Sequence, residues 1–183
     1  MVMIMVVKYS NGNHDDDDNS EGEAMKLQEA MTIAQTVKKV LTPYCDRIEI
    51  AGSIRRRKPI VHDIDIVLIE KPEAALIIPS ILATIGTITL YGSKIKRVLY
   101  VGADINIDIY TATPASWSIL LLIRTGSKEN NIRLATIAMT KGWKLKANGD
   151  GLFNKHGDRI AGDTEQSIYQ VLGIPYQEPH DRS

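Results

Sequence analysis

Three aspartates occupy positions where β-strands would place them on one face. Asp63 and Asp65 are one residue apart inside the apolar run DIDIVLIE, and Asp108 lies in a similar run, NIDIY. Because side chains alternate across a strand, Asp63 and Asp65 share one face, and the isoleucines that alternate with them face a core. If the two strands are neighbours, Asp108 can lie beside the pair. Three such carboxylates repel one another unless a cation neutralises them.

This carboxylate pattern favours a site for hard divalent cations. Mg²⁺ and Mn²⁺ take oxygen ligands, and substrate phosphates can complete their coordination shell. Two such ions about 4 Å apart would stabilise both the attacking and the leaving oxygen of a phosphoryl transfer. The alternative is that the aspartates simply face solvent at a sheet edge, and a D-x-D pattern alone does not exclude it.

A segment that precedes the aspartates has the residue types of a phosphate site. Gly52-Ser53 leaves a predicted strand and opens a helix, where backbone N–H groups, a hydroxyl and a positive helix end favour an anion. Arg55, Arg56 and Arg57 follow within one turn and could make bidentate contacts with phosphates. RRRK alone is more often a solvated basic surface, but together with the aspartates it indicates a nucleoside triphosphate.

Hydrophobic periodicity predicts the elements that must hold these residues. An amphipathic helix is expected from Ala24 to Leu41, stopped by Pro43. A helical segment over 72–85 is expected to be interrupted by Pro79. The predicted strands of this first part span residues 46–51, 63–70, 87–91, 95–101 and 105–111.

The second part of the chain is predicted to be mostly helical. Helices are expected over 114–123 and 127–140, followed by a short strand or hairpin broken by NGDG. A last helix is expected to begin at Asp163 as N-cap, with Gln166 as its capping-box partner, and to end at Gly173.

The composition is ordinary for a soluble globular protein, with 44% hydrophobic and 24% charged residues. The 183 residues favour one domain or two small lobes. A single cysteine excludes an internal disulfide and a Cys-based zinc site, and it favours a reducing, cytoplasmic location. The opening MVMIMVV is too short to span a bilayer and lacks a basic leader, so no membrane partner is expected.

A formal net charge of zero hides an uneven distribution. Of the 22 acidic and 22 basic residues, six acids and one base lie in residues 1–23, which leaves a net charge of +5 for the rest. Residues 1–23 are predicted to be an acidic disordered tail. The basic remainder suits a polyanionic partner.

Three motifs carry a family resemblance. GSIRRRKPIVHDID resembles the signature of the nucleotidyltransferase superfamily, which polymerases, tRNA-tailing enzymes and small toxin–antitoxin transferases share. RTGSKENNIRLATIAMTKGWKL resembles the T-G-S segment and following helix of family X, the DNA polymerase beta-like group, and RIAGDTEQSIYQVLGIPYQEPHDR is similar to the thumb of the same family. The resemblance covers residues 26–183, in the form of a minimal palm-plus-thumb polymerase.

This resemblance implies an α+β fold in two domains. Residues 24–113 would form a nucleotidyltransferase palm, a mixed sheet with flanking helices, and residues 114–183 a small, mostly helical thumb. A lyase domain is not expected.

The resemblance also implies roles for single residues. Asp63 and Asp65 would each bind both of two Mg²⁺ ions, for which Mn²⁺ could substitute, and Asp108 would complete the catalytic ion's shell beside the primer 3′-OH. In the nucleotide pocket, the family has an unusual cis peptide bond at the segment that corresponds to Gly126 and Ser127. The full set of expected nucleotide contacts is Gly52, Ser53, Arg56, the backbone at His62, Gly126, Ser127, and Asn131 at the minor-groove edge of the incoming base.

DNA contacts are expected from basic residues in both parts of the chain. The expected set is Lys94, Arg97, Arg133, Lys141, Lys144 and Lys146, with Arg55, Arg57, Lys58 and Lys96 as further candidates for its phosphates.

The sequence departs from the family pattern at several sites. His62 replaces a glycine; either histidine tolerates the positive φ expected there, or it contacts a phosphate itself. Ile123-Arg124 stand where the family often has an aromatic pair beside the nucleotide sugar, which puts sugar discrimination in doubt. Ala135 replaces an arginine that often probes the template minor groove, which predicts weaker fidelity.

The expected function is a monomeric, template-directed DNA polymerase that fills gaps distributively, taking dNTPs and gapped or primer–template DNA as substrates. The alternatives are a template-independent or protein- or RNA-directed nucleotidyltransferase, and a DNA-binding protein without catalysis. The thumb motif disfavours a transferase of the antitoxin type, and the presence of all three carboxylates disfavours a non-catalytic role.

Overall fold

Three sheets, of five, three and two strands, organise residues 24–182, the part of the chain that this computed structural model describes. The predicted acidic tail, residues 1–23, lies outside the described residues. The strands are β1 Met25–Lys26, β2 Cys45–Ile50, β3 Ile60–Val61, β4 Asp63–Glu70, β5 Gly86–Tyr91, β6 Ile95–Tyr100, β7 Asn106–Thr111, β8 Lys144–Lys146, β9 Gly151–Phe153 and β10 Arg159–Ala161. The α-helices are α1 Leu27–Leu41, α2 Gly52–Arg55, α3 Ile78–Ile85, α4 Trp117–Thr125, α5 Lys128–Thr140 and α6 Glu165–Leu172.

The largest sheet is mixed, as expected, with strand order β2-β4-β7-β6-β5. β4 and β7 are parallel neighbours, whereas the other pairs are antiparallel. The register of β4 and β7 sets Asp65 opposite Asp108 and Asp63 opposite Asn106. The two strands are therefore neighbours, which is the condition for Asp108 to lie beside Asp63 and Asp65.

A hydrophobic core beneath this sheet fixes which way the aspartates point. Ile64, Ile66, Ile107 and Ile109 are at most 1% exposed, and they pack with apolar residues of α1 and α3. Each buried isoleucine side chain contributes about 2 kcal/mol to folding. Since neighbouring side chains point to opposite faces, burying these isoleucines forces the aspartates onto the other face.

The second part of the described chain packs around its own core. Leu134 of α5, Leu152 of β9 and Tyr169 of α6 are fully buried together. The short hairpin predicted here is one edge of a three-stranded antiparallel sheet, β8-β9-β10. No helix within residues 24–182 has both the length and the apolar character needed to cross a membrane.

Two predictions about helix ends are wrong. Pro79 does not interrupt a helix, because it lies in the first turn of α3, where its missing N–H would have had no intrahelical partner. Helix α6 is capped by Thr164 instead of Asp163, and Ser167 is its reciprocal partner. Asp163 instead pairs with Arg159, four residues before it, at 2.6 Å.

Candidate active site

Three carboxylates meet on the face of the large sheet opposite its isoleucine core. Asp63 and Asp65 come from β4 and Asp108 from β7, and each offers an oxygen within 4.8 Å of the oxygens of the others. Asp108 is 3% exposed, while Asp63 and Asp65 are partly exposed. The structure therefore brings together the three residues that the sequence singled out.

The electrostatics of this acidic cluster, Asp63, Asp65 and Asp108, favour a bound cation. Burial, and then the charges of Asp63 and Asp108, raise the pKa of Asp65 well above its usual value. The pKa of Asp63 is raised by burial and then by Asp108. These raised pKa values show that nearby positive charge only partly balances the ionised carboxylates. A carboxylate-only donor set of this kind fits Mg²⁺ or Mn²⁺.

The turn that contains Gly52 passes very close to Asp65. Gly52 has φ +58°, and a Cβ atom at this position would lie 1.9 Å from Oδ2 of Asp65. Glycine is needed here both for the left-handed backbone and for the close approach. The turn that carries Ser53 is thereby set against the acidic cluster.

Two buried polar atoms of this segment have no partner among the described residues. They are the hydroxyl of Ser53 and Nε of Arg56. A buried polar group without a hydrogen bond is costly and calls for an explanation. A hydroxyl and a guanidinium N–H beside a cation-binding cluster are suitable donors for a phosphate.

The segment between α4 and α5 joins this turn. Nη1 of Arg56 donates a hydrogen bond to the carbonyl oxygen of Thr125. The next peptide bond, Gly126–Ser127, is cis, as the resemblance implied. The Ser127 hydroxyl caps α5 by accepting a hydrogen bond from the N–H of Asn130. Gly126 and Ser127 therefore lie beside Arg56, as expected for one pocket.

Asn131 lies one turn into α5, and within the described part of the chain its side-chain amide has a hydrogen-bond partner for the nitrogen but not for the oxygen. Its side-chain amide donates to the carbonyl oxygen of Ile123 at 2.8 Å, whereas its buried Oδ1 has no partner among residues 24–182. One acceptor thus remains for a ligand, in keeping with the place expected for Asn131 in the nucleotide pocket.

His62 is exposed directly before the first aspartate. The expectation that it needs a positive φ is wrong, because Arg57 is the non-glycine residue with positive φ in the described chain, at 58°. The left-handed turn falls between α2 and β3, so His62 enters β4 without it. The alternative, that His62 itself contacts a phosphate, stays open.

Three cations predicted to face DNA are used inside the protein. Arg97 is paired with Asp108, with Nε 2.6 Å from Oδ1 and Nη2 2.8 Å from Oδ2. Arg55 is paired with Glu165, and Lys96, only 3% exposed, with Glu70. Sequence alone could not reveal these partners, since none of them is a local neighbour.

The other basic residues are more available to bind a polyanion. Lys94, Lys141 and Lys144 are exposed. Lys146 is partly exposed and lies 3.9 Å over the ring of Phe153. Arg133 donates to the side-chain oxygens of Asn130 and Gln177, which holds it in place.

An ion-pair network links the two parts of the chain and was not foreseen. Glu165 accepts from Arg55 through Oε1 and from Arg182 through Oε2, both at 2.6 Å. Arg55 also donates to the Thr125 hydroxyl at 2.7 Å. The network therefore holds the neighbours of Arg56 and Gly126 in place.

A second unforeseen contact lies beside the acidic cluster. The Tyr110 hydroxyl is 3.3 Å from Oδ2 of Asp108, and the guanidinium of Arg124 lies 4.0 Å over the Tyr110 ring. Burial and then the charge of Asp65 raise the pKa of Tyr110, so it remains a neutral donor. Period-2 alternation places Tyr110 on the face of Asp108, but no pattern in the sequence indicates Arg124.

Comparisons with known proteins agree with this arrangement. Residues 120–183 match the family model of the DNA polymerase beta thumb. The DNA polymerase/3′-5′ exonuclease PolX of Bacillus subtilis is 26% identical over 174 residues, which cover 88% of this chain and 30% of that protein. DNA polymerase lambda of Rattus norvegicus is 29% identical over 85 residues, 42% of this chain and 15% of that protein. The chain thus spans less than a third of the length of these curated relatives.

Solved structures show the same fold. The ternary P/T complex of Leishmania infantum polymerase beta has a TM-score of 0.75 at 22% identity, over 88% of this chain and 77% of that one. The ternary gap complex of the same protein has a TM-score of 0.73 at 20% identity, over 88% and 71%. The mixed sheet and the following helices of this chain are therefore arranged as the palm and thumb of a polymerase beta-like protein.

Proposed function

We propose that this chain, which is related to the family X DNA polymerases and carries their thumb, is a template-directed DNA polymerase that acts as a monomer on short gaps. The observation that carries the proposal is the acidic cluster, three carboxylates within 4.8 Å, beside a turn whose Ser53 and Arg56 keep unpartnered donors. Carboxylates for cations next to donors for phosphates are what a nucleoside triphosphate requires.

Two divalent ions would be held by Asp63, Asp65 and Asp108. When bound, they would neutralise charge on the phosphates and favour ionisation of the primer 3′-OH. The carboxylates hold that position because their strands are anchored by the isoleucine core.

The remaining site residues would bind and orient the nucleotide. The Ser53 hydroxyl and Nε of Arg56 would donate to its phosphate oxygens, which gives both atoms the partners they lack. Oδ1 of Asn131 would accept a hydrogen bond from the nucleotide. In the reaction the primer O3′ forms a bond to the α-phosphorus, the bond to the bridging oxygen of the β-phosphate breaks, and pyrophosphate leaves.

Distributive action is proposed from the small number of free cations. Arg55, Lys96 and Arg97 are engaged internally, which leaves fewer charges for DNA phosphates. Since phosphate contacts supply most of the sequence-independent affinity for DNA, few contacts predict a weak grip.

The test is addition of a single nucleotide to a duplex with a one-nucleotide gap. Each dNTP and each rNTP is supplied separately, with Mg²⁺, against each of the four template bases. Template-matched addition supports the polymerase. On a primer–template with a longer single-stranded template, a trap of unlabelled DNA should limit each binding event to one or a few additions. Addition that does not depend on the template base would contradict the proposal and indicate a terminal transferase. No addition with either Mg²⁺ or Mn²⁺ would reject DNA synthesis.

Gly52→Ala is predicted to reduce nucleotide addition by about a hundredfold, because a misplacement of about 1 Å at a reacting centre has that effect. The new Cβ would meet Oδ2 of Asp65 at 1.9 Å, so the carboxylate or the turn must move. Gly142→Ala is the matched control, since Gly142 also has a positive φ, +69°, but has open space around it. Equal losses of activity in the two variants would show that backbone strain, and not the contact with Asp65, is responsible.

DNA affinity is predicted to fall steeply with salt concentration, and Lys141→Gln and Lys144→Gln should each lower the slope of log K against log[salt] by about one. Both lysines are exposed in the second part of the chain. Lys39→Gln is the control, because Lys39 is exposed on α1, which covers the opposite face of the sheet. Fluorescence anisotropy with a labelled gapped duplex measures the slopes. An unchanged slope in either of the first two variants would remove that lysine from the DNA surface.

A further inference from the structure

Arg97 lies beside the acidic cluster, and the proposed reaction gives this arginine no role. It lies on β6 directly opposite Asp108 on β7, and its side chain is 35% exposed, against 4% for that of Asp108. We infer that Arg97 is a positioning residue for Asp108 and also its internal counter-ion, so that it sets both the orientation of the carboxylate and the affinity of the site for divalent cations. This inference rests on the proposed function, because it assigns Arg97 a part in the same site.

The geometry fixes the Asp108 carboxylate from two sides. Arg97 donates through Nε to Oδ1 and through Nη2 to Oδ2, at 2.6 and 2.8 Å. Two parallel hydrogen bonds of this kind define the plane of the carboxylate as well as its place. The hydroxyl of Tyr110 adds a third donor, 3.3 Å from Oδ2. Asp108 is therefore oriented before any cation or nucleotide binds.

Arg97 also balances charge. As a guanidinium it stays charged at any working pH, and it contacts Asp108 directly. The groups that face the cluster are Tyr110 on β7, His62 just before β4, and three arginines, Arg56, Arg97 and Arg124. Of these three arginines, Arg97 makes the bidentate contact with a carboxylate, whereas Arg124 stacks on Tyr110 and Arg56 donates to the carbonyl oxygen of Thr125.

These two roles have opposite consequences when Arg97 is replaced. A nearby positive charge disfavours a second cation, so its removal should tighten the binding of a divalent ion. Loss of the two hydrogen bonds leaves Asp108 free to rotate, which should slow the chemical step. A residue that merely stabilised the fold would not tighten metal binding while it slowed turnover.

The experiment compares Arg97→Gln, Arg97→Lys and the control Lys39→Gln, which removes an exposed charge from α1, on the opposite face of the sheet. Binding of Mn²⁺ to the DNA-free protein is measured by electron paramagnetic resonance of the free ion. Steady-state addition on the gapped duplex, at saturating Mg²⁺, then gives kcat and KM for the dNTP.

Arg97→Gln is expected to bind Mn²⁺ several-fold more tightly and to lose about 10- to 100-fold in kcat, the range seen for partners of metal ligands, with little change in KM. Arg97→Lys should bind Mn²⁺ as the unchanged protein does, because it keeps the charge, and should still lose kcat, because it lacks the bidentate fork. Lys39→Gln should match the unchanged protein in both measurements.

Two results would overturn the inference: unchanged kcat in Arg97→Lys, or Mn²⁺ affinity that is unchanged or weaker in Arg97→Gln. If Arg97→Gln fails to fold, Arg97→Lys tests the inference alone: its kcat should fall while its affinity for Mn²⁺ stays unaltered. If the unchanged protein adds no nucleotide to DNA, the proposed function fails, but the Mn²⁺ comparison still tests Arg97 as a counter-ion.

Discussion

Asp65→Asn is expected to reduce nucleotide addition about a thousandfold, equivalent to about 4 kcal/mol of transition-state stabilisation. Asparagine has nearly the same shape but lacks the negative charge that holds a cation. Asp65 lies at the centre of the acidic cluster, opposite Asp108 in the strand register and against the turn of Gly52. Single-turnover addition on the gapped duplex measures the loss. DNA affinity, measured by anisotropy, should remain unchanged, because the expected DNA contacts lie elsewhere.

The same variant is expected to make the metal-free protein more stable at neutral pH. Burial, and then Asp63 and Asp108, raise the pKa of Asp65 in the folded state. The folded state then holds a proton more tightly than the unfolded state, so the contribution of Asp65 to stability is present below its unfolded pKa, about 4, and is lost as the pH rises through the folded pKa. Asparagine does not undergo this loss. The gain over the unchanged protein, measured by urea unfolding in a chelator, should therefore grow from acidic to neutral pH.

Mg²⁺ should reverse the order of stability of Asp65→Asn and the unchanged protein, since a ligand that binds only the folded state stabilises it. The unchanged protein should gain stability from the ion, and Asp65→Asn should gain less. Asp104→Asn is the matched control, because Asp104 is exposed in the loop before β7 and lies outside the acidic cluster. The assignment of Asp65 as a metal ligand would be wrong if Asp65→Asn retained transfer, or if Mg²⁺ stabilised both variants equally.

Local pattern in the sequence was enough to predict the elements that carry the acidic cluster. The strand over 63–70 was placed at its observed ends, because alternating apolar and acidic residues leave a strand one way to bury its isoleucines. The pairing of that strand with β7 could be stated only as a condition, since nothing local specifies which strands become neighbours. The Gly126–Ser127 cis bond came from the family resemblance and not from periodicity.

Contacts between distant residues could not be predicted in this way. Arg55, Lys96 and Arg97 look like solvated cations in the sequence, and each proves to have a carboxylate partner. Arg55 and Glu165 are 110 positions apart. The choice among many possible carboxylates depends on the tertiary fold, to which the spacing of charges in the sequence gives no guide.

Glu165→Gln is expected to lower the free energy of unfolding by about 3 kcal/mol, because removing one member of a buried ion pair leaves its partner uncompensated. Arg182 is 1% exposed and Glu165 is 7% exposed. The remaining hydrogen-bond partners of the Arg182 side chain are the Gln177 carbonyl and the Tyr176 hydroxyl, both at 3.0 Å, and neither carries a countercharge. Urea unfolding in the absence of DNA measures the loss.

The exposed Glu178 provides the control, and Glu178→Gln should change stability by no more than about 0.5 kcal/mol. Adding Arg182→Leu to Glu165→Gln removes the uncompensated cation. The double variant should therefore lose less than the sum of the single variants, with a coupling of about 1–3 kcal/mol. Strict additivity would mean that Glu165 and Arg182 contribute independently, in spite of their 2.6 Å contact.

This network should also affect the nucleotide site, because Arg55 connects Glu165 to the hydroxyl of Thr125 and directly precedes Arg56. Once Glu165 is neutral, Arg55 loses its countercharge, and the hold on the segment before Gly126 weakens. KM for the dNTP should then rise in Glu165→Gln more than kcat falls, since the phosphate donors are displaced while the acidic cluster stays on its strands. A fall in kcat at constant KM would instead place the effect of Glu165 on the carboxylates, and a loss of stability without either change would confine its role to holding the two parts of the chain together.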